Sequence, residues 1–312
     1  MANKTFKLIK DYEEKDYSNF WSEKFKWNFN KQEKKILNEY LSDKKGWFID
    51  IGCGSGRMIP VYKNKKEKIV LVDYSIKNLQ RIRDNFTDVN MLLIAADILD
   101  MPFKKNIFSS SIAIRVMQNL LKPERFFSEC SRIMQYKGEM VFSYFNKRNL
   151  LRLLRYGLKN LNQKHTVDFK GDFGIMCGTH PAFFKKLLKK YDFKSVCNTG
   201  AGFSYQIIRP VKLFQEMVEK YFFVNKVIYI ISLITDSILG KFNLSLWQFH
   251  KLIYVPSNMN LNSNRNESNC LVDILQCPGC HYESLIENKD EYYCPKCKRA
   301  YPLIDGILDF RV

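Results

Sequence analysis

The stretch Phe48-Ile-Asp-Ile-Gly52-Cys-Gly54-Ser-Gly56-Arg57 decides the fold of this chain. A short apolar run leads into three glycines at alternate positions, and a helical pattern follows. Glycine adopts positive φ without strain and lets a ligand lie against the backbone. The helix after such a turn offers free N–H groups at its N-terminus. The pattern predicts a buried strand, a ligand-binding turn and a helix.

A dinucleotide is a poor fit for this turn. Its fingerprint, G-x-G-x-x-G, needs a third glycine where the helix packs on the strand, and Arg57 stands at that place. Asp50, just before the turn, would also lie badly beside a pyrophosphate. We therefore expect a cationic ligand with an amino group.

Further short apolar runs alternate with helical patterns, which favours a parallel sheet with helices on both faces. Two more predicted strands flank an apolar helix near residue 230. The predicted strands are Trp47–Ile51, Lys68–Val72, Met91–Ala95, Ser109–Arg115, Glu139–Tyr144, Phe193–Asn198 and Leu246–Val255, and the predicted helices include residues 11–45, Ile76–Phe86 and Pro123–Met134.

Two carboxylates follow neighbouring strands of this predicted sheet. Asp73 ends the second strand, where it can accept hydrogen bonds from both hydroxyls of a ribose. Asp97 follows the third strand and can accept from an exocyclic amine, with Ile98 beside the ring. Each acid alone could be a turn or helix-capping residue.

These motifs, in this order, resemble those of class I S-adenosylmethionine-dependent methyltransferases. The resemblance covers roughly residues 10–256, is strong over 46–146, and includes the stretch from Phe108 to Tyr144. It implies a Rossmann-like, mostly parallel seven-stranded sheet and S-adenosylmethionine as cosubstrate. Asp50 and the glycine turn would bind the methionine moiety, Asp73 the ribose and Asp97 the adenine. The implied cofactor-binding set is Asp50, Gly52, Gly54, Gly56, Asp73, Tyr74, Asp97, Ile98 and Arg115.

The candidate catalytic residues are Gln118, Asn119 and His180. In the family, the loop that holds Gln118 and Asn119 faces the transferring methyl group. This loop lacks the Asn/Asp-Pro-Pro-Tyr/Phe motif of some amine methyltransferases, and no histidine stands near Asn119. His180 is the candidate for contact with the acceptor, although a histidine before proline more often begins a helix.

A basic region, residues 147–245, is predicted to form a helical cap. Between Lys147 and Lys226 there are 16 basic and 5 acidic residues. Four basic residues share one face of a predicted helix: Arg148, Arg152, Arg155 and Lys159. The face is either simply solvated or a surface for an anionic acceptor or RNA phosphates.

Two Cys-x-x-C pairs, separated by thirteen residues, lie near the end of the chain. Four thiolates complete a tetrahedral zinc site and leave no open position, so the metal should be structural. The predicted ligands are Cys277, Cys280, Cys294 and Cys297. The segment resembles the small zinc-ribbon activator subunit of several RNA and protein methyltransferases. We expect a methyltransferase domain over 1–256, a linker over 257–270 and the ribbon over 271–312.

Composition adds three expectations. The nine cysteines, four of them clustered, suit a reducing cytoplasm. Phe222–Leu239 is interrupted by polar residues, which favours a buried amphipathic helix over a membrane span, with peripheral membrane contact as a minority interpretation. The formal net charge of +18 reflects 37 lysines and 13 arginines and does not by itself identify a polyanionic partner.

The leading hypothesis is an enzyme that methylates O or N of a small molecule. An RNA or protein methyltransferase with a built-in activator is the first alternative. A scaffold that binds the cofactor without turnover is the second.

Overall fold

A computed structural model describes residues 24–156, 164–171, 174–208, 212–257 and 270–311. The helices are α1 (Lys24–Tyr40), α2 (Ile59–Tyr62), α3 (Ile76–Asn85), α4 (Pro123–Ile133), α5 (Leu150–Tyr156), α6 (Pro181–Lys190), α7 (Phe203–Ile208), α8 (Lys212–Lys220) and α9 (Phe222–Lys241). The strands are β1 (Trp47–Ile51), β2 (Lys68–Asp73), β3 (Met91–Ala95), β4 (Phe108–Ala113), β5 (Met134–Phe145), β6 (His165–Gly171), β7 (Gly174–Thr179), β8 (Phe193–Ala201), β9 (Trp247–Tyr254), β10 (Ile286–Glu287), β11 (Glu291–Tyr293), β12 (Ala300–Ile304) and β13 (Ile307–Asp309).

The central sheet has the order β10-β11-β12-β13-β3-β2-β1-β4-β5-β9-β8. Strands β1 to β5 pair in parallel, and β9 runs antiparallel between β5 and β8. Every residue of β1 is buried, because helices cover both faces of the sheet. Two apolar clusters, one on each face, form the core. The predicted α/β fold, with a seven-stranded sheet from β3 to β8, is confirmed.

The ribbon is continuous with this sheet. Strand β13 pairs in parallel with β3, so that Ile307 lies beside Leu93 and Asp309 beside Ala95. Tyr292, Tyr301 and Phe310 join the same apolar cluster as Met101 and Phe103 beside the main sheet. The ribbon thereby covers an edge strand that would otherwise expose unpaired backbone groups.

The cap is less helical than the sequence predicts. Strands β6 and β7 form a separate antiparallel hairpin inside the region expected to be helical. Arg148 lies two residues before the start of helix α5, and Arg152 lies within the helix. The side chain of Arg155, and Lys159 altogether, lie outside the described part of the chain, so the predicted basic stripe is seen only in its first half.

Helix α9 contradicts the expectation of a buried helix. It is the one helix among the described residues that is long and apolar enough to cross a membrane, with a mean hydropathy of 1.6 and only 11% of that stretch buried. Its buried residues are Ser232, Asp236 and Gly240, four residues apart. A small and polar stripe therefore faces the protein, and the apolar stripe faces outward.

Other boundaries differ by a few residues. Helix α1 is described from Lys24, and the earlier part of the predicted helix lies outside the described residues. Strand β5 begins at Met134, where we expected the preceding helix to end, and β8 extends to Ala201. Most of the predicted linker, 258–269, also lies outside the described residues.

Candidate cofactor and acceptor site

The glycine turn at the end of β1 has the predicted geometry. Gly52, Gly54 and Gly56 all have positive φ, at 73°, 56° and 82°. A Cβ at Gly52 would lie 2.7 Å from Val116 Cγ2, and one at Gly56 would lie 2.5 Å from Ile59 Cδ1. A Cβ at Gly54 would meet nothing within 4 Å. The two outer glycines thus allow close packing, while the middle one borders open space beside the backbone.

Asp73 holds this turn in place. Its Oδ2 accepts a hydrogen bond from the backbone N–H of Gly54 at 2.8 Å, and its Oδ1 accepts from the N–H of Ser75 at 2.9 Å. The carboxylate is buried, and burial raises its pKa. The side chain of Asn78 and the backbone of Tyr74 also donate hydrogen bonds to this carboxylate. A carboxylate has about four acceptor positions, so a ribose diol would have to share Asp73 with these donors or displace some of them.

Asp50, in β1 just before the turn, is also buried. The hydroxyl of Tyr62 donates to its Oδ2 at 2.8 Å. Burial raises the pKa of Asp50 to about 7, and the nearby Asp73 carboxylate adds to that rise. Two buried acids in this position create a site that favours a cation.

Asp97 and its neighbours follow the end of β3, where the Ala96 N–H donates to the Asp73 carbonyl at 3.2 Å. Asp97 Oδ1 accepts from the N–H of Leu99 at 2.8 Å, so the carboxylate also caps its own turn. The half-buried Ile98 packs against the core. Tyr74 is half-buried, and the Arg311 guanidinium of the ribbon lies 5.4 Å from the centre of its ring. The three acids therefore lie at the carboxyl ends of three adjacent strands, as the sequence predicts.

Glu33 is a buried charge beside the glycine turn that the sequence analysis missed. This fully buried glutamate on α1 pairs with two arginines: its Oε2 lies 2.7 Å from Arg57 Nη1, and its Oε1 lies 2.9 Å from Arg115 Nε. The Arg115 guanidinium also lies over the rings of Phe29 and Trp247. Burial lowers the pKa of Arg115 to about 10. No spacing signal in the sequence connects α1 to these positions.

This network changes the interpretation of Arg115. Its backbone N–H donates to Ser143 Oγ at 2.9 Å, and its φ of 62° turns the chain sharply after β4. The side chain ties α1 to the loop after β4. Arg115 thus holds α1 against this loop through Glu33, whereas direct contact with a cofactor stays a prediction.

The candidate acceptor residues lie beyond β4 and β7. Asn119 is exposed on a single helical turn, Met117–Asn119. The Oε1 of Gln118 is buried without a hydrogen-bond partner among the described residues. His180 is the N-cap of α6, where its Nδ1 accepts from the N–H of Ala182 at 3.1 Å. Its pKa is lowered by burial and by Arg148 and Lys147.

A second histidine, His165, holds the loop that carries Gln118 and Asn119. The sequence analysis did not identify it, because it is 45 residues away from that loop along the chain. His165 Nε2 lies 2.7 Å from the carbonyl oxygen of Leu120, and its Nδ1 lies 2.8 Å from Thr179 Oγ1. Because a carbonyl only accepts, Nε2 carries the proton, and Nδ1 accepts from the threonine. Burial lowers the pKa of His165. Both ring nitrogens are engaged, so His165 positions the loop and is no free base.

The four ribbon cysteines converge as predicted. Their Sγ atoms all lie within 4.8 Å of one another. The Cys277–Cys297 and Cys280–Cys294 sulfur pairs are each 3.5 Å apart. A tetrahedral zinc site with Zn–S bonds of about 2.3 Å places its sulfurs about 3.8 Å apart. The cluster is therefore close to the geometry that a metal ion of this kind requires.

Comparison with known proteins gives the class. A family model described as a methyltransferase domain matches residues 49–142. A SAM-dependent methyltransferase structure from Leishmania major has a TM-score of 0.53 at 11% identity, covering 80% of this chain and 82% of that one. The chain therefore carries a methyltransferase domain with the fold of the S-adenosylmethionine-dependent enzymes.

Two curated proteins are similar over part of their length. An uncharacterized protein of Methanocaldococcus jannaschii is 29% identical over 119 residues, which are 38% of this chain and 48% of that protein. A phosphatidylethanolamine N-methyltransferase of Cereibacter sphaeroides is 22% identical over 140 residues, which are 44% of this chain and 68% of that protein. The chain thus spans about half to two thirds of these relatives.

Proposed function

We propose that this chain transfers a methyl group from S-adenosylmethionine to O or N of a small-molecule acceptor. The observation that carries the proposal is the open space beside Gly54, bordered by the buried carboxylate of Asp73. Asp73 would accept hydrogen bonds from a ribose diol in exchange for some of its present donors, and the buried carboxylate of Asp50 suits a cationic methionine moiety. Asp97 and Ile98 would hold the adenine.

The cofactor supplies a methyl group that is activated by its bond to a sulfonium sulfur. When the acceptor atom attacks the methyl carbon, that bond breaks and S-adenosylhomocysteine leaves. The protein must align the acceptor with that methyl, and such positioning is worth roughly 7–11 kcal/mol in well-organised two-substrate reactions. Gln118 and Asn119, on the loop fixed by His165, would orient the acceptor. The acceptor's proton leaves to solvent or to a base, for which His180 is our candidate.

The chemistry of the acceptor is suggested by two features. Lys147 and Arg148 lie directly after β5, next to the end of β7 that leads to His180. This arrangement favours an acceptor that carries negative charge. The Cereibacter sphaeroides relative is named for an N-methylation, which supports an amine as one acceptor to test.

We expect His180→Asn to separate a catalytic role from a structural one. Asparagine is a good N-cap, so the free energy of unfolding should stay unchanged. Loss of the imidazole should lower kcat by about 10²-fold or more if His180 serves as the base. His180→Ala, as a control, should also lose about 1 kcal/mol of stability, measured by urea unfolding. A kcat unaltered in His180→Asn would remove the catalytic role.

We expect cofactor affinity to fall as pH is lowered through 7. The pKa of Asp50 is raised to about 7 in the folded protein, well above its ordinary value in an unfolded chain. Between pH 7 and pH 4 the folded protein without ligand therefore binds a proton at Asp50 that the unfolded chain does not, and its stability increases as pH falls. A bound cation favours the ionised form instead. The Kd for S-adenosylmethionine should therefore rise about tenfold between pH 8 and pH 6.

Calorimetry at the two pH values, with Asp50→Asn as the matched variant, checks this dependence. The variant keeps an acceptor for the Tyr62 hydroxyl but cannot ionise. A steep pH dependence that persists in Asp50→Asn would assign it to another group.

We further propose that the four cysteines hold one structural Zn²⁺. Four thiolates leave no coordination position for a substrate, and the ribbon is too small to fold on its apolar contacts alone. We also propose that the protein works in the cytoplasm, where buried cysteines such as Cys53 and Cys130 stay reduced.

The proposal is tested by incubating the purified chain with S-adenosylmethionine labelled in the methyl group and a panel of small anionic alcohols and amines. Transfer to a panel member supports it. Transfer only to RNA or protein in the same assay would favour the activator-type enzyme. Cofactor binding without transfer to any of the three classes would favour the scaffold.

A further inference from the structure

Helix α9 buries its polar and small residues and exposes its apolar ones. Its Asp236 is buried and accepts hydrogen bonds from the Phe203 N–H at 2.9 Å and from Gln32 Nε2 at 3.1 Å. Gly240 packs so tightly that a Cβ there would lie 2.1 Å from the backbone N of Gly200. These contacts hold α9 against β8 and α1. The helix is therefore part of the folded protein and is not a separate membrane-spanning segment.

The outward face of α9 is a long apolar stripe. Phe223 is 75% exposed, Ile231 51% and Ile234 60%. The stripe continues with other exposed apolar side chains on α8, on α9 and at the two residues that cap α9, namely Leu213, Met217, Tyr221, Phe222, Val227, Ile230, Ile238 and Phe242. A helix of twenty residues is about 30 Å long, and soluble monomers rarely expose a continuous apolar surface of that extent.

The charges around this stripe are basic. Among the described side chains of α8 and α9, four lysines are exposed, against one exposed acid, Glu216. The lysines, which lie at both ends of the stripe and beside it, are Lys212, Lys220, Lys226 and Lys241. The whole chain carries a formal net charge of +18. A surface that covers this stripe should therefore be apolar inside and negatively charged at its boundary.

We propose that the α8–α9 surface docks the protein on an anionic membrane, with α9 lying in the plane of the interface. An interfacial helix buries its apolar face in the boundary between headgroups and acyl chains, while lysines at its edges meet anionic headgroups. A second copy of the chain fits less well, since a two-fold contact along α9 would bring lysines of two strongly basic molecules together.

A groove beside the apolar stripe adds to the surface that a membrane would contact. It runs between α1 and α9, encloses about 660 Å³ and is lined on its apolar side by Ile36, Ile230, Leu233, Ile234 and Ile238. Three of these isoleucines are also exposed on the stripe. The groove is also lined by Lys35, Glu39 and Lys241, so it is amphipathic and suits the boundary between headgroups and acyl chains, not a hydrocarbon chain alone.

Vesicle flotation with the full-length protein tests the proposal. We expect retention on phosphatidylcholine vesicles that contain phosphatidylglycerol, little retention on pure phosphatidylcholine, and a loss of binding as salt is raised. The double variant Ile231→Glu, Ile234→Glu should bind these vesicles roughly tenfold less. Its thermal melting and its affinity for S-adenosylmethionine should match the wild type, because both side chains are exposed and lie outside the cofactor site.

The matched control is Ile286→Glu, Ile304→Glu, which adds the same charge at exposed positions of the ribbon, at the other end of the sheet. It should bind vesicles nearly as well as the wild type. Three results would overturn the proposal: no retention on anionic vesicles, equal loss in both double variants, or a dimer in analytical ultracentrifugation that the α9 variant alone dissociates. The last result would identify a second copy as the occupant.

Discussion

Replacement of Cys294 by serine is expected to release the metal and destabilise the whole protein, not only the ribbon. The ribbon shares its apolar cluster with Met101 and Phe103 of the methyltransferase domain, and β13 pairs with β3. Loss of a structural metal belongs to the small group of changes that cost about 4 kcal/mol or more. Urea unfolding and metal analysis of the purified variant measure the two effects.

The same change should weaken cofactor binding. The ribbon contacts the segment just after Asp97: the Gln276 N–H donates to the Pro102 carbonyl at 3.0 Å, and the Lys104 N–H donates to the Ile274 carbonyl at 2.9 Å. Cys197→Ser, an exposed cysteine outside the cluster, is the control and should leave metal, stability and affinity unchanged. A Cys294→Ser protein with a full complement of zinc and normal unfolding would contradict the metal site.

Replacement of Asp73 by alanine is expected to abolish detectable cofactor binding. Each hydrogen bond to a charged acceptor is worth about 1.5–3 kcal/mol, so the loss of two to a ribose diol predicts a fall in affinity of about 10²-fold or more. The N–H groups of Gly54 and Ser75 would also lose their acceptor and loosen the turn. Calorimetric titration with S-adenosylmethionine measures the change.

Asp84→Ala supplies the matched control for this experiment. Asp84 is an exposed carboxylate on α3 that pairs with Arg83. Its removal should leave affinity within the experimental error of the wild type. Binding by Asp73→Ala as tight as that of Asp84→Ala would show that the ribose does not lie at the end of β2.

The sequence predicted the parallel sheet and the positions of Asp50, Asp73 and Asp97 because their signals are local. A buried strand, a glycine turn and an acid at a strand end are each readable within about ten residues, and parallel strands bring their carboxyl ends to one edge. The four cysteines are likewise a local pattern whose chemistry fixes its geometry.

The features that the sequence did not reveal depend on distant contacts. Glu33 meets Arg57 and Arg115 only after the chain folds. The β13–β3 pairing joins segments about 210 residues apart, and no periodicity reports it. The expectation that α9 is buried was wrong. Asp236 was read only as an interruption of a possible membrane span, whereas its side chain anchors the helix to Gln32 and leaves the apolar face exposed.

The most direct measurement is a calorimetric titration of the wild-type protein with S-adenosylmethionine. We predict one binding event per chain with a Kd below about 1 mM. Addition of S-adenosylhomocysteine should displace the bound S-adenosylmethionine. Absence of heat up to that concentration, in a protein that melts cooperatively, would show that the glycine turn and its three acids hold some other ligand.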